Sequence, residues 1–172
     1  MDILKFPVGK LKLPDTVEQD HLHGFIDSIS TFPDVLASLI STFSDEELDT
    51  PYRPEGWTAR QVIHHLADSH CHALMRFKWS LTEDKPTIKP YLEAQNALLV
   101  DYLLPVQPSL DILKGIHEKW ATIMLHMKSE DWIKGYYHPE TGRFFRLDQV
   151  AAMYDWHCRH HLEHIRLCKK TT

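Results

Sequence analysis

The chain has 172 residues, 43% of them hydrophobic and 25% charged, which predicts one globular domain over 1–172 and excludes a low-complexity or disordered chain. Its 19 Lys and Arg against 24 Asp and Glu give a formal net charge of −5, so nucleic-acid binding, which requires a basic face, is not expected. Three cysteines without a CxxC pair, and no apolar run of about 18 residues, predict a cytoplasmic protein without disulfides or a membrane partner.

The first part of the chain predicts an irregular arm followed by a helix. Two prolines and a glycine break regular structure within residues 1–16, the N-terminal arm. Apolar residues then recur at helical spacing from about residue 16 to residue 42. Pro33 lies inside this run and, because proline lacks a backbone N–H, predicts either a kink or the start of a new helix.

Three further helices follow. Thr58 stands three residues before Gln61, the capping-box spacing, and begins the clearest helical segment. Apolar periodicity predicts two more helices at 109–127 and 147–169. Turn residues at Pro139–Gly142, between aromatic flanks, predict a loop or small hairpin. Four principal helices in one domain predict an all-α fold built as a four-helix bundle.

Histidine is the unusual residue of this chain. Eight of the 13 histidines fall in two short windows, 64–72 and 157–164. His157 and His161 are four residues apart, the spacing by which one helix offers two imidazoles to a metal ion. Both belong to the stripe that steps of three and four define on the last helix: Val150, Tyr154, His157, His161, His164 and Cys168.

The first window lies on another helix of the bundle, from which a third imidazole can meet the first two across the core. Spacing does not choose among its members, His64, His65, His70 and His72. Three imidazoles without a thiolate leave coordination positions open, which is the pattern of a catalytic metal site. A metal ion held in this way lowers the pKa of a bound water toward neutrality. The alternative stays open that these are hydrogen-bonded core or surface residues, since HxxxH arises by chance in a histidine-rich chain.

The sequence predicts a separate position for each of the other histidines in the two windows. His160 lies off the stripe and is expected to face solvent. His164 lies on it and is a candidate hydrogen-bond partner of a ligand imidazole, but the pattern assigns it no definite role. His64 and His72 are expected at the surface, and His70 as a packed core residue.

Four segments together resemble the YfiT branch of the DinB-like superfamily over roughly residues 5–168: "FPVG", "LDTPYRPEGWTARQVIHHLADSHCHALMRFKWSLTEDKPTIKPY", "YYHPETG" and "YDWHCRHHLEHI". The resemblance implies up-down-down-up helix connectivity, a homodimer, and one divalent metal ion held by three histidines. The second His of the "HH" pair, His65, would be the first ligand, and the HxxxH pair, His157 and His161, would supply the others. His164 stands where the wider superfamily often carries glutamine.

The resemblance also implies the type of activity. Members of this branch are described as metal-dependent hydrolases, in which the metal activates water against a small-molecule substrate. Relatives elsewhere transfer low-molecular-weight thiols such as bacillithiol, which makes metal-dependent S-transfer the alternative activity. A non-catalytic, stress-associated metal-binding module is a third hypothesis, because no glutamate stands inside the HxxxH motif. Three imidazoles with open positions suit Zn²⁺ and also Ni²⁺.

Overall fold

Four long helices form the body of the protein in the computed structural model, which describes residues 2–169. Within that range no helix combines the length and the apolar character needed to cross a membrane. In chain order the long helices are α2 (Gln19–Ile40), α4 (Ala59–Thr82), α6 (Gln107–Leu125) and α8 (Leu147–Leu167). They are accompanied by α1 (Asp2–Lys5), α3 (Asp45–Leu48), α5 (Glu93–Asn96), α7 (Ser129–Trp132), a 3₁₀ turn (Val100–Leu103), and the antiparallel strands β1 (Gly135–His138) and β2 (Arg143–Arg146).

Helices α4 and α8 run antiparallel, which places their histidines side by side. The rings of His65 and His161 lie 5.0 Å apart, centroid to centroid, and those of His70 and His157 lie 5.2 Å apart. Moving five residues forward on α4 therefore corresponds to moving four residues back on α8. The two histidine windows of the sequence face each other for this reason.

The other pairs complete the topology. Helices α4 and α6 run parallel, since His64 contacts Ser109 while Phe77, further along α4, contacts Trp120, further along α6. Helix α2 runs parallel to α8, because its first half packs with the first half of α8 and its second half with the second. The connectivity is up-down-down-up, and the predicted four-helix bundle is confirmed.

Helix α4 begins where the capping box predicts. The Thr58 side chain accepts a hydrogen bond from the Gln61 backbone N–H at 3.2 Å, and the Gln61 side chain accepts one from the Thr58 N–H at 3.0 Å. Two backbone donors at the helix end are thereby satisfied, which contributes about 1 kcal/mol to the stability of such a terminus. His65 follows two turns later, so this cap defines where the first histidine window starts.

The bundle core is divided into two apolar clusters by a layer of histidines. One cluster includes Ile29 and Tyr154, and the other includes Phe32 and Cys158. His70, at 0% exposure, contacts Phe32 on one side and Tyr154 on the other, with ring centroids 5.8 Å and 5.3 Å away. His70 is therefore a packed core residue, as predicted.

One local expectation from the sequence is wrong, because the N-terminal arm is not irregular throughout: residues 2–5 form α1. Of the two alternatives at Pro33, the start of a new helix is excluded, since Pro33 lies inside the single helix α2. The expected loop or hairpin at Pro139–Gly142 is the hairpin of β1 and β2, which leads directly into α8.

Replacing Gly135 tests the hairpin that leads into α8. A Cβ atom at this position would stand 2.0 Å from the backbone oxygen of Phe145 on the paired strand, so Gly135→Ala must displace backbone. We expect the free energy of unfolding in urea to fall by about 1–3 kcal/mol. Gly115→Ala is the matched control: its Cβ meets nothing within 4 Å on an exposed part of α6, and it should raise stability by about 0.5–1 kcal/mol. Equal effects of the two substitutions would contradict the strand pairing.

Candidate metal centre

Three histidines from two helices converge at one point of the structure. One ring nitrogen from each of His65, His157 and His161 can be chosen so that all three atoms lie within 4.8 Å of one another. His65 comes from α4, and the other two stand one turn apart on α8 with ring centroids 4.4 Å apart. Among residues 2–169 this is the group of histidine, cysteine and acidic side chains whose geometry could hold a metal ion.

Burial keeps these imidazoles uncharged. It lowers the pKa of His65 to about 4. The pKa values of His157 and His161 lie well below the ordinary value, first because of burial and second because neighbouring histidines would repel a positive charge. A neutral imidazole keeps a lone pair free, which is the form that binds a metal. The residues therefore fit a divalent transition-metal ion.

His65 is enclosed between Trp57 and the two histidines of α8. The Trp57 ring centroid lies 4.9 Å from that of His65, and the His65 side chain is 2% exposed. Its buried Nδ1 has no hydrogen-bond partner among the described residues. A buried nitrogen of this kind is costly unless something binds it, which is a second reason to regard the cluster as a ligand site.

His64, the neighbour of His65, makes its hydrogen bonds outside the three-histidine cluster. Its Nε2 donates a hydrogen bond to the Leu104 carbonyl at 3.1 Å, and its Nδ1 lies 2.7 Å from the Ser109 hydroxyl. The expectation that His64 is a surface residue is wrong, because the segment before α6 covers it. Of the "HH" pair, His64 thus attaches this segment to α4, and His65 faces α8.

His164, whose role the sequence left open, contacts a candidate ligand. Its Nε2 donates to the Lys5 carbonyl at 3.3 Å, which leaves Nδ1 as an acceptor 3.4 Å from Nδ1 of His161. The ring is stacked on Tyr52, with centroids 3.9 Å apart. His164 thus joins His161 to the N-terminal arm.

His160 does not face solvent, so that expectation is wrong. Its side chain is 6% exposed because it stacks on Trp156, with centroids 4.2 Å apart, and lies near Phe6 of the N-terminal arm. Trp156 in turn donates a hydrogen bond to the Gly9 carbonyl at 3.1 Å. His72, also expected at the surface, is half-buried because its ring stacks on Tyr91.

A cavity of about 410 Å³ opens beside the three histidines, all of which line it. Its other walls include two cations, Lys5 and Arg53, and two carboxylates, Glu55 and Glu93. Desolvation by the surrounding protein raises the pKa of Glu93, although the residue is exposed at the mouth of the cavity. Sequence periodicity gave no signal for Lys5 or Glu93, because both reach the site from irregular or short segments. A larger cavity, about 470 Å³, lies against α2 and α6 but contains no histidine.

Comparison with known families identifies the group to which this bundle belongs. The model of the DinB superfamily matches residues 29–165, which include all three histidines of the cluster. The chain belongs to the DinB superfamily.

Relatives and a solved structure agree with this assignment. A protein of Bacillus cereus (strain 03BB102) named "Putative metal-dependent hydrolase" is 40% identical over 170 residues, covering 99% of this chain and 98% of its own. A Bacillus anthracis (strain A0248) protein of the same name is 39% identical over the same length. The structure of YfiT from Bacillus subtilis, described as "a probable metal-dependent hydrolase with an unusual four-helix bundle topology", matches with a TM-score of 0.94 at 35% identity, covering 96% of this chain and 95% of that one.

The histidines of this DinB superfamily protein predict a pH-dependent stability in the absence of metal. Burial lowers the pKa values of His65 and His117 from 6.5 to about 4. Between these two pH values the unfolded chain therefore binds protons at these histidines, whereas the folded chain does not. Stability is therefore complete above pH 6.5 and is lost as the pH falls toward 4. We expect the free energy of unfolding of the metal-free protein to be lower at pH 5.5 than at pH 7.5 by about 1 kcal/mol for each residue.

Urea unfolding of chelator-treated protein across this pH range measures the effect. His117→Gln removes one of the buried histidines with a lowered pKa and should make the dependence shallower. A free energy of unfolding that does not change between pH 7.5 and pH 5.5 would contradict the assignment of buried, neutral imidazoles.

Proposed function

We propose that this protein is a metal-dependent hydrolase in which His65, His157 and His161 hold one divalent metal ion per chain. The observation that carries the proposal is the convergence of three uncharged imidazoles on one wall of a cavity. The names of the relatives support it at the level of metal-dependent hydrolysis. We propose Zn²⁺ as the ion, with Ni²⁺ as the alternative, since imidazole ligands suit both.

The cavity is suited to a small polar substrate. A metal ion at the three histidines would supply Lewis-acid activation of water and of an electrophilic centre such as a carbonyl. Lys5 and Arg53 would bind an anionic part of the substrate, and Trp57 would cover its apolar part. Glu93 lines the cavity, and desolvation raises its pKa, so its carboxylate is a stronger base than an unperturbed glutamate and we propose it as the general base.

The second candidate is transfer of a low-molecular-weight thiol, in which the sulfur attacks an electrophilic carbon and expels a leaving group. The observation that favours it is the pair of cations in the cavity. Lys5 and Arg53 stand beside the histidines, where they could bind the carboxylates of a thiol cosubstrate. The three cysteines carry free thiols, which fits a reducing compartment, and we propose the cytoplasm as the site of action. The homodimer implied by the family stays a prediction.

Metal content tests the ligand assignment. We expect the wild-type protein, purified without chelators, to carry about one metal ion per chain, and His65→Ala, His157→Ala and His161→Ala to carry less than about one tenth, since each removes one of three ligands. His126→Ala, which changes an exposed histidine at the end of α6, is the matched control and should keep full metal. Elemental analysis and Zn²⁺ competition with a chromogenic chelator provide the measurements.

Each outcome of this experiment has a consequence. If His157→Ala retains full metal, this residue is not a ligand. If the wild-type protein binds metal but hydrolyses no ester, amide or lactone and transfers no thiol, the non-catalytic metal-binding module becomes the better hypothesis.

Turnover with and without a thiol separates the two activities. We expect a hydrolase to cleave activated esters at a rate independent of added thiol, and Glu93→Gln to lower kcat by about 100-fold, the usual contribution of a general base. Arg53→Gln should raise KM for an anionic substrate with little change in kcat. Turnover of an aryl or alkyl halide that appears only with bacillithiol, cysteine or glutathione would instead establish thiol transfer and refute hydrolysis.

A further inference from the structure

Pro33 leaves one backbone carbonyl of α2 without its usual donor. In an α-helix the carbonyl of residue i−4 accepts a hydrogen bond from the N–H of residue i, and proline has no N–H to give. The carbonyl affected by Pro33 is that of Ile29, whose side chain is fully buried in the centre of the bundle. A buried carbonyl without a partner is costly, so another donor must reach it.

The donor is His117 of α6. Its Nδ1 lies 2.5 Å from the Ile29 carbonyl oxygen. Its other nitrogen, Nε2, lies 2.7 Å from Nδ1 of His70 on α4. His70 Nε2 in turn lies 3.1 Å from Nδ1 of His157 on α8. The Ile29 carbonyl is thereby connected through His117 and His70 to His157, a candidate metal ligand, and we call these three rings the imidazole chain.

The carbonyl determines where every proton in the imidazole chain lies. Since a carbonyl oxygen can only accept, His117 must carry its proton on Nδ1. In a neutral ring Nε2 is then an acceptor, so His70 must donate from its own Nδ1. The same step repeats between His70 and His157, which donates from Nδ1 and keeps its lone pair on Nε2. The opposite proton placement at any ring would set two donors or two acceptors against each other.

The surroundings keep the rings neutral and fixed in place. His70 and His117 are both 0% exposed, and the rings of Phe32 and Trp120 flank them. Burial lowers the pKa of His117 to about 4. Aromatic packing on both sides restricts ring rotation, so the order of donors and acceptors is preserved.

We propose that His70 and His117 are positioning residues that hold His157 in the Nδ1–H form and thereby direct its Nε2 lone pair to the metal ion. The proposal rests on the proposed metal centre. It also accounts for a proline in the middle of a continuous helix, because Pro33 frees the Ile29 carbonyl that begins the imidazole chain. A mutation in such an outer partner of a metal ligand typically weakens metal binding by about 10–100-fold.

A shorter arrangement of the same kind serves His161. The Lys5 carbonyl accepts from His164 Nε2, which leaves His164 Nδ1 to accept from His161 Nδ1. His161 would then also present Nε2. Both histidines of the HxxxH pair are thus oriented through hydrogen bonds that end on a backbone carbonyl. His157 reaches the carbonyl in α2 through two further imidazoles, and His161 reaches the one in the N-terminal arm through a single imidazole.

Nitrogen-15 NMR of the metal-free protein tests the imidazole chain directly. Two-bond proton–nitrogen correlations distinguish a protonated ring nitrogen from an unprotonated one, so each tautomer can be assigned at pH 7.5. We expect His117, His70 and His157 all to carry the proton on Nδ1. A proton on Nε2 of His157 in the wild-type protein would overturn the proposal, and this measurement needs no variant.

Two substitutions of His117 separate positioning from simple packing. His117→Leu removes the donor and the acceptor, and should give mixed tautomers at His157 and about 10–100-fold weaker Zn²⁺ binding. His117→Gln keeps an N–H donor and an oxygen acceptor on one planar group, and should restore the Nδ1–H form of His157 and most of the affinity. His126→Gln, at the exposed end of the same helix, is the control and should change neither.

The outcomes distinguish this proposal from the function on which it rests. If His117→Leu loses stability but keeps wild-type tautomers and Zn²⁺ affinity, His117 is a packing residue and the proposal fails. If the expected tautomers are found but the wild-type protein does not bind Zn²⁺ or Ni²⁺, the imidazole chain stands and the metal centre is refuted.

Discussion

The interior of this bundle depends on placing several imidazoles where water cannot reach them. A buried ring stays neutral, and its two nitrogens then act as one donor and one acceptor, each of which needs a partner. The structure meets part of this requirement with backbone carbonyls. Ile29 offers one because Pro33 follows four residues later, Leu104 offers one beside α4, and Lys5 offers one from the N-terminal arm.

The layer of buried histidines influences the rest of the fold. It separates the apolar core into two clusters, and the antiparallel pairing of α4 and α8 brings both histidine windows to the same level of the bundle. Burying imidazoles contributes less stability than burying leucines would, and it makes stability dependent on pH. A metal ion that binds only the folded chain would offset this cost, which couples the candidate site to the fold.

Much of the architecture can be read from local patterns. The Thr58–Gln61 capping box, the turn at Pro139–Gly142 and the apolar periodicity of the four long helices depend on neighbours within one or two turns. For the same reason the stripe on the last helix identified His157 and His161 as neighbours on one face. The expectation for His160 failed because the N-terminal arm, distant in sequence, packs over the face that periodicity assigns to solvent.

The sequence by itself determined the four helices, the HxxxH pair and, through the family resemblance, His65 as the third member of the cluster. Only the tertiary structure decided what surrounds them. The partner of His64, the contact of His164 with His161, and the link from Pro33 through His117 to His157 all depend on elements far apart in the chain. Helical periodicity describes one helix at a time, whereas the donor and acceptor roles of a buried imidazole depend on the helix that packs against it.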